Sequence, residues 1–443
     1  MNWSHRIASA AAALALIPAC AGSPVRSLPE PGAAAPSLGT APGAASAASV
    51  ARGKIDRLWR VGIISKAQME KGDFGQIVDE LGGKPKCNVI LYGMIYQTIG
   101  VKGDAADASA AFFVPGKGCD GPFPLVGYAH GTNPVKEQLI TSPKTTSPTW
   151  TAPDQDPIVV AAIFAAHGYA TAATDYLGLG YSKYPFHPYL VADAEASAVL
   201  DSMRAARNAA ATLKIALSGK VFLTGHSQGG QSAMATQRML EATTGKEFDL
   251  RGDAPSSGPY ALTQTFIDSL HHQSEDAPIL AAYILPAYDK TYGNVYSDAR
   301  QIFRLPWATG INDLLPVQTY QQEAALYGKR LPLDLHKLLQ PAFIKSYLDD
   351  PASGARVDTG HNDLLKYWTP KAPIYLCGGD KDPEVEFKNA EAAYAYFHAE
   401  HARVALIDVG PFIPKQVPMT DYHVVVALFC LPLARKNFFD PLK

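Results

Sequence analysis

The chain has 443 residues, of which 47% are hydrophobic, and its formal net charge is −2 at pH 7. This length and apolar content suffice for one large globular domain with insertions, or for two domains. The near-neutral charge balance provides no basic field for nucleic acid, and the sequence contains no internal repeat.

Residues 1–21 have the features of an export signal. Arg6 gives a small basic start, and the alanine–leucine run that follows is too short for a transmembrane helix. The stretch "IPAC" ending at Cys20 resembles a bacterial lipobox, which would make Cys20 the acylated first residue of a cell-envelope lipoprotein. The same residues also fit the small-residue cleavage pattern that releases a soluble periplasmic or secreted protein. We favour the lipoprotein, and both alternatives predict export.

Residues 22–50 consist mainly of Ala, Pro, Ser and Gly, with almost no charge. Such a segment cannot bury a hydrophobic core, and its composition is typical of a flexible tether. The folded part of the chain is therefore predicted to begin at about residue 51.

Two strand-like runs follow, "CNVILYGMIYQ" beginning at Cys87 and "ADASAAFFVPGKGC" ending at Cys119. If they pair as an antiparallel hairpin, the start of the first lies beside the end of the second, so a Cys87–Cys119 disulfide is geometrically reasonable. An even number of cysteines remains beyond Cys20, as expected of an exported protein. Cys377 and Cys430 either form a second bridge or are small buried thiols. No C-x-x-C spacing indicates a metal site.

Strand and helix signals then alternate along the chain, which is typical of a mostly parallel sheet covered by helices on both faces. The segment 133–160, rich in Pro, Thr and Ser, is far longer than the usual strand–helix loop of about 2–6 residues, and we expect a flap there. The predicted strands are 123–132, 169–175, 220–224, 372–379 and 403–410, and the predicted helices include 192–216 and 386–402.

The stretch "VFLTGHSQGGQSAM", residues 221–234, combines a strand, a sharp turn and a helix. Two glycines bracket Ser227 at the position where the chain must reverse in almost no space. This arrangement is typical of the G-x-S-x-G nucleophile elbow, which exposes a serine hydroxyl above a sheet and beside a helix N-terminus. A glycine-rich turn that binds an anion or only packs tightly is the alternative, and the presence of other hydrolase residues discriminates between them.

More than a hundred residues, 260–370, separate this region from the next predicted strand. Helical patterns such as "YALTQTFIDSLHH" and "LPLDLHKLLQPAFIKSYLDD" predict a helical cap. Its apolar side chains either line an acyl pocket or pack the cap onto the core. Phe266 and Leu270, four residues apart on one helical face, are the candidate pocket residues.

The order of hairpin, strand, strand and elbow strand resembles the α/β-hydrolase superfamily over residues 87–443. Three stretches are similar to the secretory lipases and the lipase-A-like bacterial esterases. They are "TDYLGLGYSKYPFHPYL" (174–190), "TGHSQGGQSAM" (224–234) and "SSGPYAL" (256–262). The resemblance implies an α/β-hydrolase fold, a mostly parallel sheet flanked by helices, with residues 51–259 and 371–443 as its core and 260–370 as its cap.

The resemblance implies that Ser227, in the elbow, is the nucleophile. In this superfamily the nucleophile is followed along the chain by an acid and then by a histidine. The loop "CGGDKDPEV" offers two acids, and Asp382, followed three residues later by an apolar residue, resembles the family's acid more closely than Asp380 does. His423 is the histidine that follows the last predicted strand, and it is the predicted base. His226 is expected to shape the elbow, because its side chain points away from the nucleophile.

An oxyanion hole needs two backbone N–H groups directed at the developing negative charge. Gln228, the residue after the nucleophile, is expected to supply one of them. The other is expected from the loop "YAHGT" (128–132), where the resemblance favours Thr132, with Gly131 as the alternative. A plain glycine turn is the structural alternative for this loop.

Other chemistries have little support. The stretch "GLGYSK" (178–183) lacks the spacing of a phosphate-binding loop, and the adjacent His271 and His272 cannot both face one ion, so no cofactor, nucleotide or metal is expected. The sequence therefore predicts an exported serine carboxylic-ester hydrolase, a lipase or esterase. Its partner is a small-molecule or lipid ester, and it contacts a membrane through a lipid anchor if Cys20 is acylated. A serine aminopeptidase of the same fold is the first alternative, and a non-catalytic binding protein is the second.

Overall fold

The computed structural model describes residues 51–137, 139–141, 157–243, 247–326 and 329–443. The predicted export signal, with Cys20, and the predicted tether lie outside these residues. Much of the predicted flap, residues 142–156, also lies outside them.

Within the described residues, nine strands form one sheet in the order β1-β2-β3-β5-β4-β6-β7-β8-β9. The pairs β1–β2, β2–β3 and β3–β5 are antiparallel, and all later neighbours are parallel. The strands are β1 (Ile55–Ile64), β2 (Val89–Ile99), β3 (Ala105–Pro115), β4 (Phe123–Ala129), β5 (Ala170–Thr174), β6 (Leu217–His226), β7 (Asp249–Ser256), β8 (Ile374–Gly378) and β9 (Val404–Asp408). This is the predicted α/β-hydrolase sheet, an antiparallel start followed by parallel strands.

Helices cover both faces of the sheet. Neighbouring residues of one strand point to opposite faces, so Val126 and Leu125 pack against different helices, in two separate apolar clusters. These flanking helices are α1 (Lys66–Met69), α2 (Gly72–Gly82), α3 (Pro157–Ile163), α4 (Ala192–Leu213), α5 (Gln228–Thr243), α12 (Lys388–Ala399), α13 (Met419–Ala434) and α14 (Asp440–Leu442). The central strands β4 and β5 are buried on both faces, as their apolar and small side chains allow.

Residues 260–370, which we call the helical insertion, connect β7 to β8. Its helices are α6 (Leu262–His271), α7 (Ala277–Tyr292), α8 (Tyr320–Ala324), α9 (Leu335–Leu338), α10 (Pro341–Asp349) and α11 (Gly354–His361). The pattern over 331–350 forms two helices because Pro341 lacks a backbone N–H and therefore starts a new helix. The insertion packs against the loop after β5 in a third apolar cluster, which includes Leu177 and Tyr189. No helix in the described part of the chain has both the length and the apolar content needed to cross a bilayer.

Two disulfides form within the described residues. Cys87 and Cys119 are bonded across the β2–β3 hairpin, with 5.5 Å between their Cα atoms. Cys377 and Cys430 are bonded as well, with 5.7 Å between their Cα atoms, and this bond links β8 to α13.

Candidate active site

The turn between β6 and α5 holds Ser227 in a left-handed backbone conformation, with φ of +59°. The Ser227 N–H donates to the carbonyl of Ser256 at 2.9 Å, which ties the turn to β7. A Cβ on Gly229 would lie 2.0 Å from the Ala129 carbonyl oxygen, and one on Gly225 would lie 2.3 Å from the Gly229 oxygen. Both glycines are therefore required by close backbone approach, as the elbow pattern predicts.

A histidine and a carboxylate meet beside this turn. His423 lies in the second turn of α13, and its Nδ1 is 2.7 Å from Oδ2 and 2.9 Å from Oδ1 of Asp382, in the loop after β8. Asp382 Oδ1 also accepts from the backbone N–H groups of Glu384 and Val385 at 3.1 Å each. These bonds fix a carboxylate against Nδ1 and leave the Nε2 edge of the imidazole on the side of the ring away from Asp382.

The second aspartate of this loop has different contacts. Asp380 accepts a hydrogen bond from the Tyr422 hydroxyl at 3.0 Å, and its N–H donates to Asp408. Of the two acids that the sequence offers, the structure brings Asp382 to His423.

His226 precedes Ser227 and packs behind the site. Its ring lies 4.5 Å from that of His423, centre to centre, and its Nδ1 is 3.0 Å from Oγ of Ser256. Burial lowers the pKa of His226 well below its usual value, so the ring is neutral. These contacts fit the elbow-shaping part that the sequence suggests for it.

Ser227 opens into a mostly apolar cavity of about 60 Å³. On the same measure a single water needs roughly 15 Å³, so the cavity fits a short acyl chain. The loop after β4 and the start of α5 contribute Thr132 and Gln228, the two residues predicted to form the oxyanion hole. The other lining residues are Tyr189, Leu190, Pro259, Leu262, Thr265, Phe266, Ser269, Ala277, Leu280, Ala281, Ile284, Leu335, Glu384 and Val385.

The two pocket candidates on α6 differ in position. Phe266 lines the cavity, whereas Leu270, also buried, lies within the apolar cluster of the insertion and outside the described cavity lining. Thr132, and not its alternative Gly131, belongs to the described lining, and its Oγ1 is 2.7 Å from the Tyr189 hydroxyl.

Two acidic side chains near the site were not anticipated from the sequence. Glu384 lines the cavity, with Oε2 3.8 Å from Nε2 of His423, and burial raises its pKa to about 8. Glu195, in the first turn of α4, is fully buried behind the elbow, and burial raises its pKa to about 8 as well. For Glu195, the only signal in the sequence is an acid within an alanine-rich helix, and this pattern does not reveal which residues surround the side chain. Over the described ranges, no group of three His, Cys, Asp or Glu side chains is placed to hold a metal ion.

The comparisons with known proteins agree with this architecture. The secretory lipase family model matches residues 145–273. The crystal structure of a rice cell wall degrading esterase, LipA from Xanthomonas oryzae, is similar with 35% identity and a TM-score of 0.79, over 89% of this chain and 100% of LipA. Among curated proteins, no significant match is found.

Two more distant structures share the fold. A putative hydrolase from Legionella pneumophila has 22% identity and a TM-score of 0.74, over 88% of this chain and 98% of that one. Candida antarctica lipase A in its closed state has 16% identity and a TM-score of 0.55, over 81% and 76%. From the sheet, the elbow and the match to LipA over nearly the whole chain, the protein belongs to the α/β-hydrolases and, among them, to the secretory lipase family with LipA-type esterases.

Proposed function

We propose that this protein is a serine carboxylic-ester hydrolase whose nucleophile, base and acid are Ser227, His423 and Asp382. The observation that carries the proposal is the 2.7 Å contact between His423 Nδ1 and Asp382, beside a serine in a left-handed elbow. A serine hydroxyl needs an adjacent base, and the base needs an orienting group, because the free hydroxyl is a poor nucleophile at neutral pH.

In the proposed reaction, Ser227 Oγ attacks the ester carbonyl carbon while its proton passes to Nε2 of His423. Asp382 orients the imidazole and stabilises the imidazolium that forms. Backbone N–H groups of Gln228 and Thr132 stabilise the oxyanion of the tetrahedral intermediate. Collapse expels the alcohol, which takes the proton from His423, and leaves an acyl group on Ser227. A water molecule, activated by the same histidine, then releases the acid and restores Ser227.

The cavity supports esters over amides of amino acids. An aminopeptidase needs an anionic group to hold the substrate ammonium. Glu384 is the acid within the described lining, and burial raises its pKa, which disfavours the anionic form that such a group would need. LipA, similar over nearly the whole chain, is described as an esterase. The apolar lining suits an acyl chain, and we propose that the helical insertion acts as the cap that encloses it.

Purified protein assayed with p-nitrophenyl acetate, butyrate and octanoate and with aminoacyl-anilides tests this function, with Ser227→Ala as the blank. We expect ester turnover that the blank lacks, and no comparable anilide turnover. Anilide hydrolysis exceeding ester hydrolysis would favour the aminopeptidase, and turnover of neither class would favour a binding protein.

We further propose that the protein is exported and lipid-anchored at Cys20, on the basis of the lipobox-like sequence and membership in a secretory family. Radioactive palmitate should label the wild-type protein and not Cys20→Ser. A labelled variant would refute the anchor.

A further inference from the structure

A buried carboxyl group lies directly behind the elbow. Glu195, which is 1% exposed, accepts hydrogen bonds through Oε1 from the Leu190 N–H at 2.7 Å and from the Gln228 side-chain amide at 2.6 Å. Its Oε2 accepts from the hydroxyl of Ser232, one turn into α5. Its described donors are thus all uncharged groups, and two of them belong to the helix that starts at the elbow.

The side chain of Gln228 is held at a second point. Its amide also donates to Nε2 of His187 at 2.8 Å, and Nδ1 of that histidine donates to the Leu177 carbonyl at 2.9 Å. Burial lowers the pKa of His187 to about 3, so the ring is neutral and Nε2 is free to accept. Both amide hydrogens of Gln228 are therefore directed at fixed acceptors, Glu195 and His187.

The same segment reaches the other side of the cavity. Leu190 has a φ of +56°, a conformation that leucine rarely adopts, and its carbonyl accepts from the Tyr288 hydroxyl of α7 at 3.0 Å. The preceding residue, Tyr189, contacts Oγ1 of Thr132 with its hydroxyl at 2.7 Å and stacks on Tyr283 of α7 at 4.5 Å. The bond from Leu190 to Glu195 thus fixes the segment that also contacts the second proposed oxyanion donor.

Packing alone does not explain why an acid occupies position 195. Burying a carboxyl group among neutral donors is costly compared with an apolar side chain of the same size. Burying a leucine at this position would cost less free energy, unless the Leu190 N–H and the Gln228 side-chain amide need an acceptor. A single oxygen, Oε1, accepts both from Gln228, which directly follows Ser227, and from Leu190, which lines the cavity.

We propose that Glu195 is a positioning residue of the oxyanion hole, which orients Gln228 and the Tyr189–Leu190 segment so that the backbone N–H groups of Gln228 and Thr132 point at the developing oxyanion. This inference rests on the proposed ester hydrolase function. Glu195 touches no reacting atom and acts only through the residues that it holds.

The test compares Glu195→Leu with Glu195→Gln and with a matched control, Asp201→Leu. Asp201 is also a buried carboxylate on α4, but it binds Arg52, Arg204 and Thr98, none of which lines the cavity. Initial rates with p-nitrophenyl butyrate are measured below the melting temperature of every variant. Inhibition by butaneboronic acid, which forms a tetrahedral adduct on a nucleophilic serine, reports on the oxyanion hole directly.

Glu195→Leu should lower kcat by about 10- to 100-fold, part of the 10²–10³ that loss of a whole donor causes. KM should change less than about threefold, and the inhibition constant of the boronic acid should rise by a factor similar to the fall in kcat. Glu195→Gln should recover most of the rate, because its amide oxygen still accepts from Leu190 and Gln228, and its NH₂ group can donate to Ser232. If Glu195→Leu does not fold, Gln228→Met, which keeps the backbone N–H, should show the same loss confined to kcat.

Unchanged kcat in Glu195→Leu, or an equal loss in Asp201→Leu, would overturn the positioning role while leaving the ester hydrolase intact. A wild-type protein without ester turnover would instead overturn the proposed function, and the role of Glu195 with it.

Discussion

The two aspartates of the loop after β8 differ in what their carboxylates contact. Asp382 is buried against His423 and two backbone N–H groups, whereas Asp380 binds the hydroxyl of Tyr422. A carboxylate that orients an imidazole sets its tautomer and stabilises the imidazolium. The structure therefore supports Asp382 as the acid, the assignment that family resemblance alone left shared with its neighbour.

Asp382→Asn should lower kcat by about 10³- to 10⁴-fold, because an amide at this position favours the wrong imidazole tautomer. Asp380→Asn, the matched control two residues away, should retain most activity, since it removes only the acceptor for Tyr422. Ser227→Ala and His423→Ala should each abolish nearly all turnover, and the double variant should lose little more, since these residues act as a unit. Steady-state kinetics with p-nitrophenyl butyrate measures all of these. If Asp380→Asn loses activity while Asp382→Asn stays active, Asp380 and not Asp382 is the acid that orients His423.

The helix α6 presents two buried apolar residues with different surroundings. Phe266 faces the cavity and its ring lies 4.6 Å from that of Tyr347, whereas Leu270 packs among residues of the helical insertion. Spacing by four placed both on one face of the helix, as the sequence predicted, but one turn of separation puts only the first against the cavity. Of the two candidates, Phe266 is therefore the one placed to contact an acyl chain in the cavity.

Phe266→Ala should therefore enlarge the cavity and raise the ratio of kcat/KM for octanoate over butyrate by about 10-fold or more, since even one additional methylene held in an apolar pocket contributes about 1–3 kcal/mol. Leu270→Ala should lower the free energy of unfolding by about 2–5 kcal/mol, as a buried truncation does, without changing that ratio. The measurement is the ratio of specificity constants together with a denaturation curve for each variant. Equal ratios in the two variants would show that Phe266 packs the insertion and does not select the acyl chain.

Most secondary structure elements could be predicted because local sequence determines them. The strand β4 is a continuous apolar run, β6 contains the apolar residues 221–223, and α4 is an alanine-rich segment free of Gly and Pro. The strand β7 was missed because its sequence, "DLRGDAPS", contains Gly, Pro and two acids that are rare in strands. Its place between β6 and β8 is determined by tertiary pairing, which local propensity does not reveal.

The α/β-hydrolase fold predicted from the sequence is confirmed as a whole. The elbow and the order of acid and histidine along the chain could also be anticipated, because both are local or sequential patterns. The places of Glu195 and Glu384 in the site could not be predicted from the sequence, because each side chain meets its neighbours only when distant segments of the chain come together. The contact of Glu195 with Gln228, for example, joins residues 33 positions apart.

The stability of the whole molecule is expected to depend on a buried acid on an inner strand of the sheet. Asp253 on β7 is 0% exposed, and among the described residues neither of its carboxyl oxygens has a hydrogen-bond partner. Burial raises the pKa of Asp253 well above its usual value. The folded protein thus holds this proton at pH values where the unfolded chain releases it, so the contribution of Asp253 to stability falls as pH rises above about 4.

Asp253→Asn removes this ionisation. Its free energy of unfolding relative to the wild-type protein should therefore increase by about 1.4 kcal/mol for each pH unit above about 4, up to the pKa of the folded state. Urea denaturation between pH 4 and pH 8 measures this difference. Asp249→Asn, at an exposed position on the same strand, is the control and should show no such trend. A difference independent of pH would mean that Asp253 is not protonated in the folded protein.

The bond between Cys377 and Cys430 closes a ring of chain that contains both Asp382 and His423. The bond lies only a few residues from each of them, so a local opening that separates β8 from α13 cannot carry the acid and the imidazole far apart. The two groups thus keep a high effective concentration toward each other even when packing is transiently lost, and closing the ring removes conformations from the open state. Asp382 and His423 can therefore meet again without a search through distant conformations. A chain with this disulfide reduced lacks that constraint.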